Sequence, residues 1–361
     1  MNAEPRLRLA SLFLAFAFAW TPARAQDDFS SLSNFKLPGR GESFVPGEEV
    51  KGAEVQDPSK AAPPKVREVS HLPQFADPSD RNQCQVGSCH AFSSIAVLEA
   101  AYQRAFGAKI RFSEADIFIR RTVLSGDIYR GFCADGDCKL TEGNDVFGDI
   151  DYAINNGVAT SIQYQTFYDR YKKFREAEQK TLEGIEARRK RMSWLDLLFY
   201  DPRTHWAELQ KESSKLTEAF LAGRDPKIDA ERADTRGKLA KMAVKEKKFT
   251  YLGDEAPKKS PAQCRSGGAE QGRAISGELD SGRPVAISMT LKGLAVWGTA
   301  GSTDHANHAF TIVGYKAEEN KPVLYQTRNS WAGMNPDVRE DELCRVFSVI
   351  TVLAPGEKKS F

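Results

Sequence analysis

One cysteine stands where a reactive thiol is favoured. Cys89 follows Gly87 and Ser88 and begins a stretch of apolar residues at helical spacing, for which Gly107 is a plausible end. The N–H groups and dipole at a helix N-terminus favour thiolate over thiol, and the thiolate is the nucleophilic species. Cys89 is therefore a candidate nucleophile. For an arbitrary cysteine of an exported protein, a disulfide or an inert core position is the commoner role, so the assignment needs partner residues.

The partners that such a cysteine needs are an imidazole and an acceptor that orients it. His308 lies at the start of a β-rich segment, and Asn329 follows about twenty residues later, at the end of the next such segment. Two neighbouring strands would bring His308 and Asn329 side by side. His305, near the same strand, is the rival imidazole.

Three blocks of sequence, in this order, resemble the papain-like cysteine peptidases. They are Gln83 followed by Gly-Ser-Cys up to Cys89 and then Ala-Phe at 91–92, Asn-His-Ala around His308 before Val-Gly-Tyr, and Asn-Ser-Trp at 329–331. His308 lies 219 residues after Cys89. Without the 81 charged-rich residues from 169 to 249 the separation is 138, within the family's range of about 130–150. The resemblance covers roughly residues 67–165 and 250–361.

The resemblance implies a role for each matching residue. Cys89 would attack a peptide carbonyl, and His308 would act as general base and then general acid. Asn329 would orient the imidazole, and Trp331 would shield the His–Asn hydrogen bond from water. The Gln83 side chain would form the oxyanion hole together with the backbone N–H of Cys89.

A substrate-binding edge is also implied by the resemblance, because Gly143 and Asn144 match the family's Gly-Gly pair. Asparagine is tolerable there because it also adopts left-handed conformations, and a plain helix-capping loop accounts for the pair equally well. Two departures stand beside this match. His90 replaces the aromatic residue that usually follows the nucleophile, and Val86 and Thr141 stand where the family often has a disulfide.

The order of the elements predicts an α+β fold, and the resemblance implies the papain-like form with a helical lobe and a β-rich lobe. Helices are expected at 89–106, 113–123 and 145–156, and strands at 284–289, 309–315, 323–327 and 349–353. Between residues 169 and 249, 36 of 81 residues are charged, which predicts a helical insertion over 166–249. We expect two or three exposed helices there, forming an arm or lid that binds a protein partner, with an apolar docking patch at 192–200.

The N-terminus has the pattern of an export signal of bacterial type. Arg6 and Arg8 precede an apolar run at 9–20 and Ala-Arg-Ala at 23–25, so residues 1–25 are predicted to be a signal peptide. A retained membrane anchor is the alternative. Residues 26–66 are expected to be an extended lead-in or short pro-segment. The mature chain, without a membrane span, would be periplasmic or secreted.

Charge and cysteine content bound the function further. With 51 basic and 49 acidic residues the chain is near neutral, which argues against nucleic-acid binding. Six cysteines in an exported chain predict disulfides, with Cys133 and Cys138 as a local pair. The resemblance points to Cys344 and Cys264 as a second pair. Neither a metal nor an organic cofactor is predicted. We therefore expect an endopeptidase acting on polypeptides, the alternatives being a dedicated peptide ligase or processing enzyme and an inactive papain-like protein that binds through its arm.

Overall fold

The computed structural model describes residues 66–77, 81–84, 86–129, 142–193, 226–249, 261–290, 307–331 and 335–358. Several sequence-based predictions lie outside these residues. They concern the export signal at 1–25, the lead-in up to residue 65, the pair Cys133 and Cys138, the patch from residue 194 to 200, and His305.

Six α-helices are described, and the ends of the first three agree with the predicted signals. Gly107 ends the first helix with a φ of 67°, a conformation that favours glycine. Ser113 and Asp145 each accept a hydrogen bond from a backbone N–H in the first turn of the helix that follows. The helices are α1 (Cys89–Phe106), α2 (Glu114–Phe118, continued by a π-helical turn to Val123), α3 (Val146–Asn156), α4 (Tyr164–Lys190), α5 (Pro226–Leu239) and α6 (Pro261–Asp280).

One antiparallel sheet contains all seven described strands. They are β1 (Val66–Ser70), β2 (Ala243–Lys248), β3 (Val285–Thr290), β4 (Asn307–Glu318), β5 (Leu324–Arg328), β6 (Val338–Arg339) and β7 (Val346–Leu353). The spatial order is β2-β7-β3-β4-β5-β6, with β1 pairing with the second half of β4. The four predicted strands are confirmed, and β1, β2 and β6 are additional. Helices and sheet together confirm the α+β class.

The sheet separates two apolar clusters. On β7, Ile350 packs with the helices of the N-terminal half, whereas Val349 packs with Leu279 of α6 on the opposite face. This alternation follows from the two-residue period of a strand. Ala286 and Ala309 present small side chains to the cluster that contains α1. Small residues allow the helix to lie close to the strand that begins next to His308.

The predicted exposed arm is wrong for the described parts of residues 166–249. Phe167, Tyr171 and Phe174 are buried in the helical core, so the inner half of α4 packs instead of extending into solvent. Thr235 of α5 hydrogen-bonds both the N–H and the C=O of Val158, at 2.9 and 2.8 Å. Strand β2 pairs with β7 along its length. The high charge of this region belongs to the outer faces of elements whose inner faces are apolar.

The described cysteines differ in their state. Cys84 and Cys89 are free thiols, and Cys344 is disulfide-bonded. Cys344 lies in a 3₁₀ segment (Glu340–Arg345) that packs against α6, the helix in which Cys264 stands. The side chain of Cys264 is outside the described residues, so its pairing with Cys344 stays a prediction.

Candidate active site

The loop before Cys89 is held by short-range hydrogen bonds. The Val86 N–H donates to the Gln83 carbonyl at 3.3 Å, and the Ser88 N–H donates to the Val86 carbonyl at 2.8 Å. Cys89 is the first residue of α1 and is 8% exposed. The tight turn therefore delivers a largely buried thiol to the positive end of a helix dipole, where a thiolate is stabilised.

His308 and Asn329 lie side by side, as their positions on neighbouring strands predict. The distance from His308 Nε2 to Asn329 Oδ1 is 2.8 Å. The same Oδ1 accepts the Ser330 N–H at 2.8 Å, which fixes which end of the amide faces the ring. An amide oxygen only accepts, so Nε2 carries a proton. In a neutral His308 the acceptor nitrogen is therefore Nδ1.

Trp331 covers the imidazole. Its ring stacks on that of His308, with centroids 4.2 Å apart and planes 25° from parallel. His308 is 2% exposed and Asn329 is 3% exposed. The indole thus keeps water away from the hydrogen bond that orients His308, in the position that the sequence resemblance implied.

Gln83 connects the nucleophile loop to the turn that carries Asn329. The Gln83 N–H donates to the Ser330 carbonyl at 2.8 Å, and its side-chain oxygen accepts a short hydrogen bond from the Ser330 hydroxyl. One N–H of the side-chain amide donates to the Val86 carbonyl at 2.8 Å. A carboxamide nitrogen carries two hydrogens, so a second donor is left for an oxyanion. Gln83, His308, Asn329 and Trp331 form one connected cluster around the Ser330 turn.

The surroundings of His308 disfavour its charged form. Burial lowers the pKa of His308 from 6.5 to about 4, and the hydrogen bond to Asn329 acts in the opposite direction. A nearby anion favours an imidazolium. A thiolate–imidazolium pair at neutral pH therefore depends on the negative charge of Cys89.

A titration of His308 in a Cys89→Ala variant tests this dependence. We expect a pKa near 4 by NMR in the variant and a higher value in the parent protein. A base with a lowered folded-state pKa binds fewer protons when folded, so the free energy of unfolding should fall by about 3 kcal/mol between pH 6.5 and pH 4. The variant that also carries His308→Gln should lose this slope. Titration of His308 near 6.5 in Cys89→Ala would contradict the expectation.

The predicted substrate edge has a different local structure. Among the described residues other than glycine, positive φ angles occur only at Cys84 and Asn320, so the expected left-handed conformation of Asn144 is wrong. The Asn144 side chain donates to the Arg121 carbonyl at 2.8 Å and accepts the Asp145 N–H at 2.9 Å. These contacts fit the helix-capping interpretation. A substrate-binding role for Gly143 and Asn144 stays a prediction.

Three neighbours of the site escaped the sequence analysis. The Tyr164 hydroxyl lies 2.5 Å from the Ser88 hydroxyl and 3.3 Å from the Gln83 carbonyl. The Glu142 carboxylate accepts the Gly87 N–H at 2.6 Å. Ser330 stands inside the recognised Asn-Ser-Trp block, which was a usable signal. Nothing in the local pattern distinguished Tyr164 or Glu142 from other tyrosines and glutamates.

Neither a metal cluster nor a membrane helix emerges from the described residues. Within them, His, Cys, Asp and Glu side chains do not gather in groups of three or more suited to a metal ion. None of the described helices combines the length and apolar character needed to span a bilayer.

No protein-family model and no curated protein match the chain. Solved structures do match it. A recombinant stem bromelain precursor is 14% identical, with 80% of this chain and 70% of that chain covered and a TM-score of 0.39. The Carica candamarcensis protease CMS1MS2 is 15% identical, covering 80% and 98% of the two chains, with a TM-score of 0.39. The ragweed allergen Amb a 11 in its proform is 16% identical over 80% and 68%, with a TM-score of 0.38. The site residues rest on the geometry above.

Proposed function

We propose that this protein is a papain-like cysteine endopeptidase that hydrolyses polypeptides. The observation that carries the proposal is the hydrogen bond from His308 Nε2 to Asn329 Oδ1, covered by Trp331. It makes Nδ1 the acceptor nitrogen of a neutral ring whose orientation is fixed. A fixed imidazole, an orienting amide and a cysteine at a helix N-terminus are the parts that thiol catalysis requires.

In the proposed reaction, His308 Nδ1 takes the proton of the Cys89 thiol, and the thiolate attacks the peptide carbonyl carbon. The resulting oxyanion accepts hydrogen bonds from the Cys89 N–H and the Gln83 side-chain amide. The C–N bond then breaks, and the amine leaves with the proton held on Nδ1. Water, deprotonated by His308, hydrolyses the thioester and restores the thiol. These steps require neither a metal nor an organic cofactor.

The test is active-site labelling of the purified chain with a thiol-directed epoxide, measured by intact mass. We expect one adduct on the parent protein, none on Cys89→Ala, and labelling at least about 100-fold slower on His308→Ala because the thiolate loses its proton acceptor. Circular dichroism of each variant establishes that it is folded. Equal labelling of all three proteins would contradict the proposal and favour a catalytically inactive binding protein.

Substrate range and compartment belong to the same proposal. Profiling of a labelled enzyme against peptide libraries distinguishes a general endopeptidase from a ligase or processing enzyme with one dedicated substrate. We also propose export, with removal of residues 1–25. The support is the charged, apolar and small-residue order of that segment.

A further inference from the structure

A buried carboxylate lies directly beneath the nucleophile loop. Glu142 Oε2 accepts the Gly87 N–H at 2.6 Å, and the Glu142 side chain is 7% exposed. A Cβ atom at Gly87 would lie 2.9 Å from the Cβ of Glu142, closer than real side chains pack. Gly87 is two residues before Cys89. The carboxylate therefore fixes the orientation of a peptide group within the turn that leads to the thiol.

Helix α4 holds the other oxygen of this carboxylate. The Tyr171 hydroxyl donates to Glu142 Oε1 at 3.0 Å, and Arg175 Nη1 lies 3.3 Å from the same oxygen. Tyr171 and Arg175 are four residues apart and so lie on one face of the helix. Tyr171 is completely buried, with its ring against those of Phe118 and Phe167. Both oxygens of Glu142 thus have donors from different elements.

The backbone of Glu142 is anchored as well. His90 Nε2 lies 3.2 Å from the Glu142 carbonyl oxygen, and His90 Nδ1 lies 2.6 Å from Asp149 Oδ2. The His90 side chain is fully buried. The residue after the nucleophile, where the family usually has an aromatic side chain, here ties the first turn of α1 to the segment that carries Glu142.

We propose that Glu142 is a positioning residue that aims the Cys89 N–H at the oxyanion, and that Tyr171 and Arg175 of α4 hold it in place. This inference rests on the proposed peptidase function. Glycine has more backbone freedom than any other residue, so a Gly87 peptide without its carboxylate could rotate. Rotation would misdirect the following N–H groups while leaving the thiol itself present. Catalysis of carbonyl chemistry would suffer more than simple thiol reactivity.

The principal variant is Glu142→Gln, which keeps the shape but offers one acceptor oxygen to donors on two sides. We expect kcat for peptide hydrolysis to fall about 10- to 100-fold with KM changed less than threefold. The inhibition constant of a peptide aldehyde, whose adduct forms an oxyanion-like hydroxyl, should rise by a similar factor. Alkylation of Cys89 by iodoacetamide forms no oxyanion at a carbonyl carbon and should change less than threefold.

Two further variants separate positioning from general damage to the fold. Tyr171→Phe removes one hydroxyl and should lower kcat about 3- to 10-fold with KM unchanged, and its effect should not add fully to that of Glu142→Gln because both act through one carboxylate. Lys173→Gln, on the exposed side of the same helix, should leave kcat unchanged.

The outcomes are distinct. A parent protein without hydrolysis or labelling overturns the proposed function itself. An active parent overturns the inference if Glu142→Gln retains kcat within twofold. It is also overturned if alkylation slows as much as hydrolysis, because the carboxylate would then serve only to keep the loop folded.

Discussion

Replacing Cys89 with serine is expected to lower kcat for peptide hydrolysis on the order of 10⁴-fold or more, because a hydroxyl at this position lacks the low pKa and the nucleophilicity of a thiol. The chain supplies a matched control five residues earlier. Cys84 is the other described free thiol and lies in the same loop. Burial raises the pKa of Cys84, and Asp169 adds to the effect, so this thiol disfavours its reactive form.

The measurement is the hydrolysis rate of a fluorogenic peptide by the parent and the two serine variants. Cys84→Ser makes the same sulfur-to-oxygen change and should leave kcat within about twofold. Cys84 has a φ of 54°, and serine, like cysteine, carries a Cβ, so the backbone strain is the same in both proteins. Comparable losses in the two variants would show that the loop, and not the Cys89 thiol, is what the reaction needs.

Replacing Arg81 with methionine is expected to destabilise the protein by about 3–5 kcal/mol, since it leaves two buried carboxylates without their cation. Arg81 Nη2 lies 2.9 Å from Glu99 Oε1, and Arg81 also forms a close ion pair with Glu114. The three side chains are at most 4% exposed. Because Arg81 is two residues before Gln83, this ion network also anchors the start of the nucleophile loop to α1 and α2.

Chemical denaturation of the parent and the variants measures the effect. Arg111→Met removes an exposed partner of Asp77, 57% exposed in its side chain, and should change the free energy of unfolding by less than about 1 kcal/mol. Adding Glu99→Gln and Glu114→Gln to Arg81→Met should restore part of the loss, since the buried charges are then removed together. A loss below about 1 kcal/mol for Arg81→Met would contradict the assignment.

Much of the fold was legible in single residues. The apolar spacing from Cys89 to Tyr102 and the glycine at 107 predicted α1 with its end, and Asp145 predicted the start of α3. The contact between His308 and Asn329 followed from their places on successive β-rich segments. These features are local or repeat at short range, so the sequence displays them directly.

The remainder depends on what lies opposite each element. Strand β2 reads Ala-Val-Lys-Glu-Lys-Lys and has the charge of a solvated segment, yet it pairs with β7 at one side of the sheet. Helix α6 contains several glycines that lower helix propensity. At Gly268 a side chain would collide with the Glu340 carbonyl, so close packing explains that glycine. The partners of Glu142 come from α4 and from the Gly87 turn, which sequence spacing does not bring together.

The contact between Gln83 and Ser330 joins positions 247 residues apart. A growing chain that has reached only α6 carries Cys89 and Gln83 but neither His308 nor Asn329. Contacts between distant parts of a chain form late because the long loop between them must first close. An unfinished chain therefore has a thiol without its base. The order of residues along the chain withholds the complete catalytic set until the strands that carry His308 and Asn329 have been synthesised and paired.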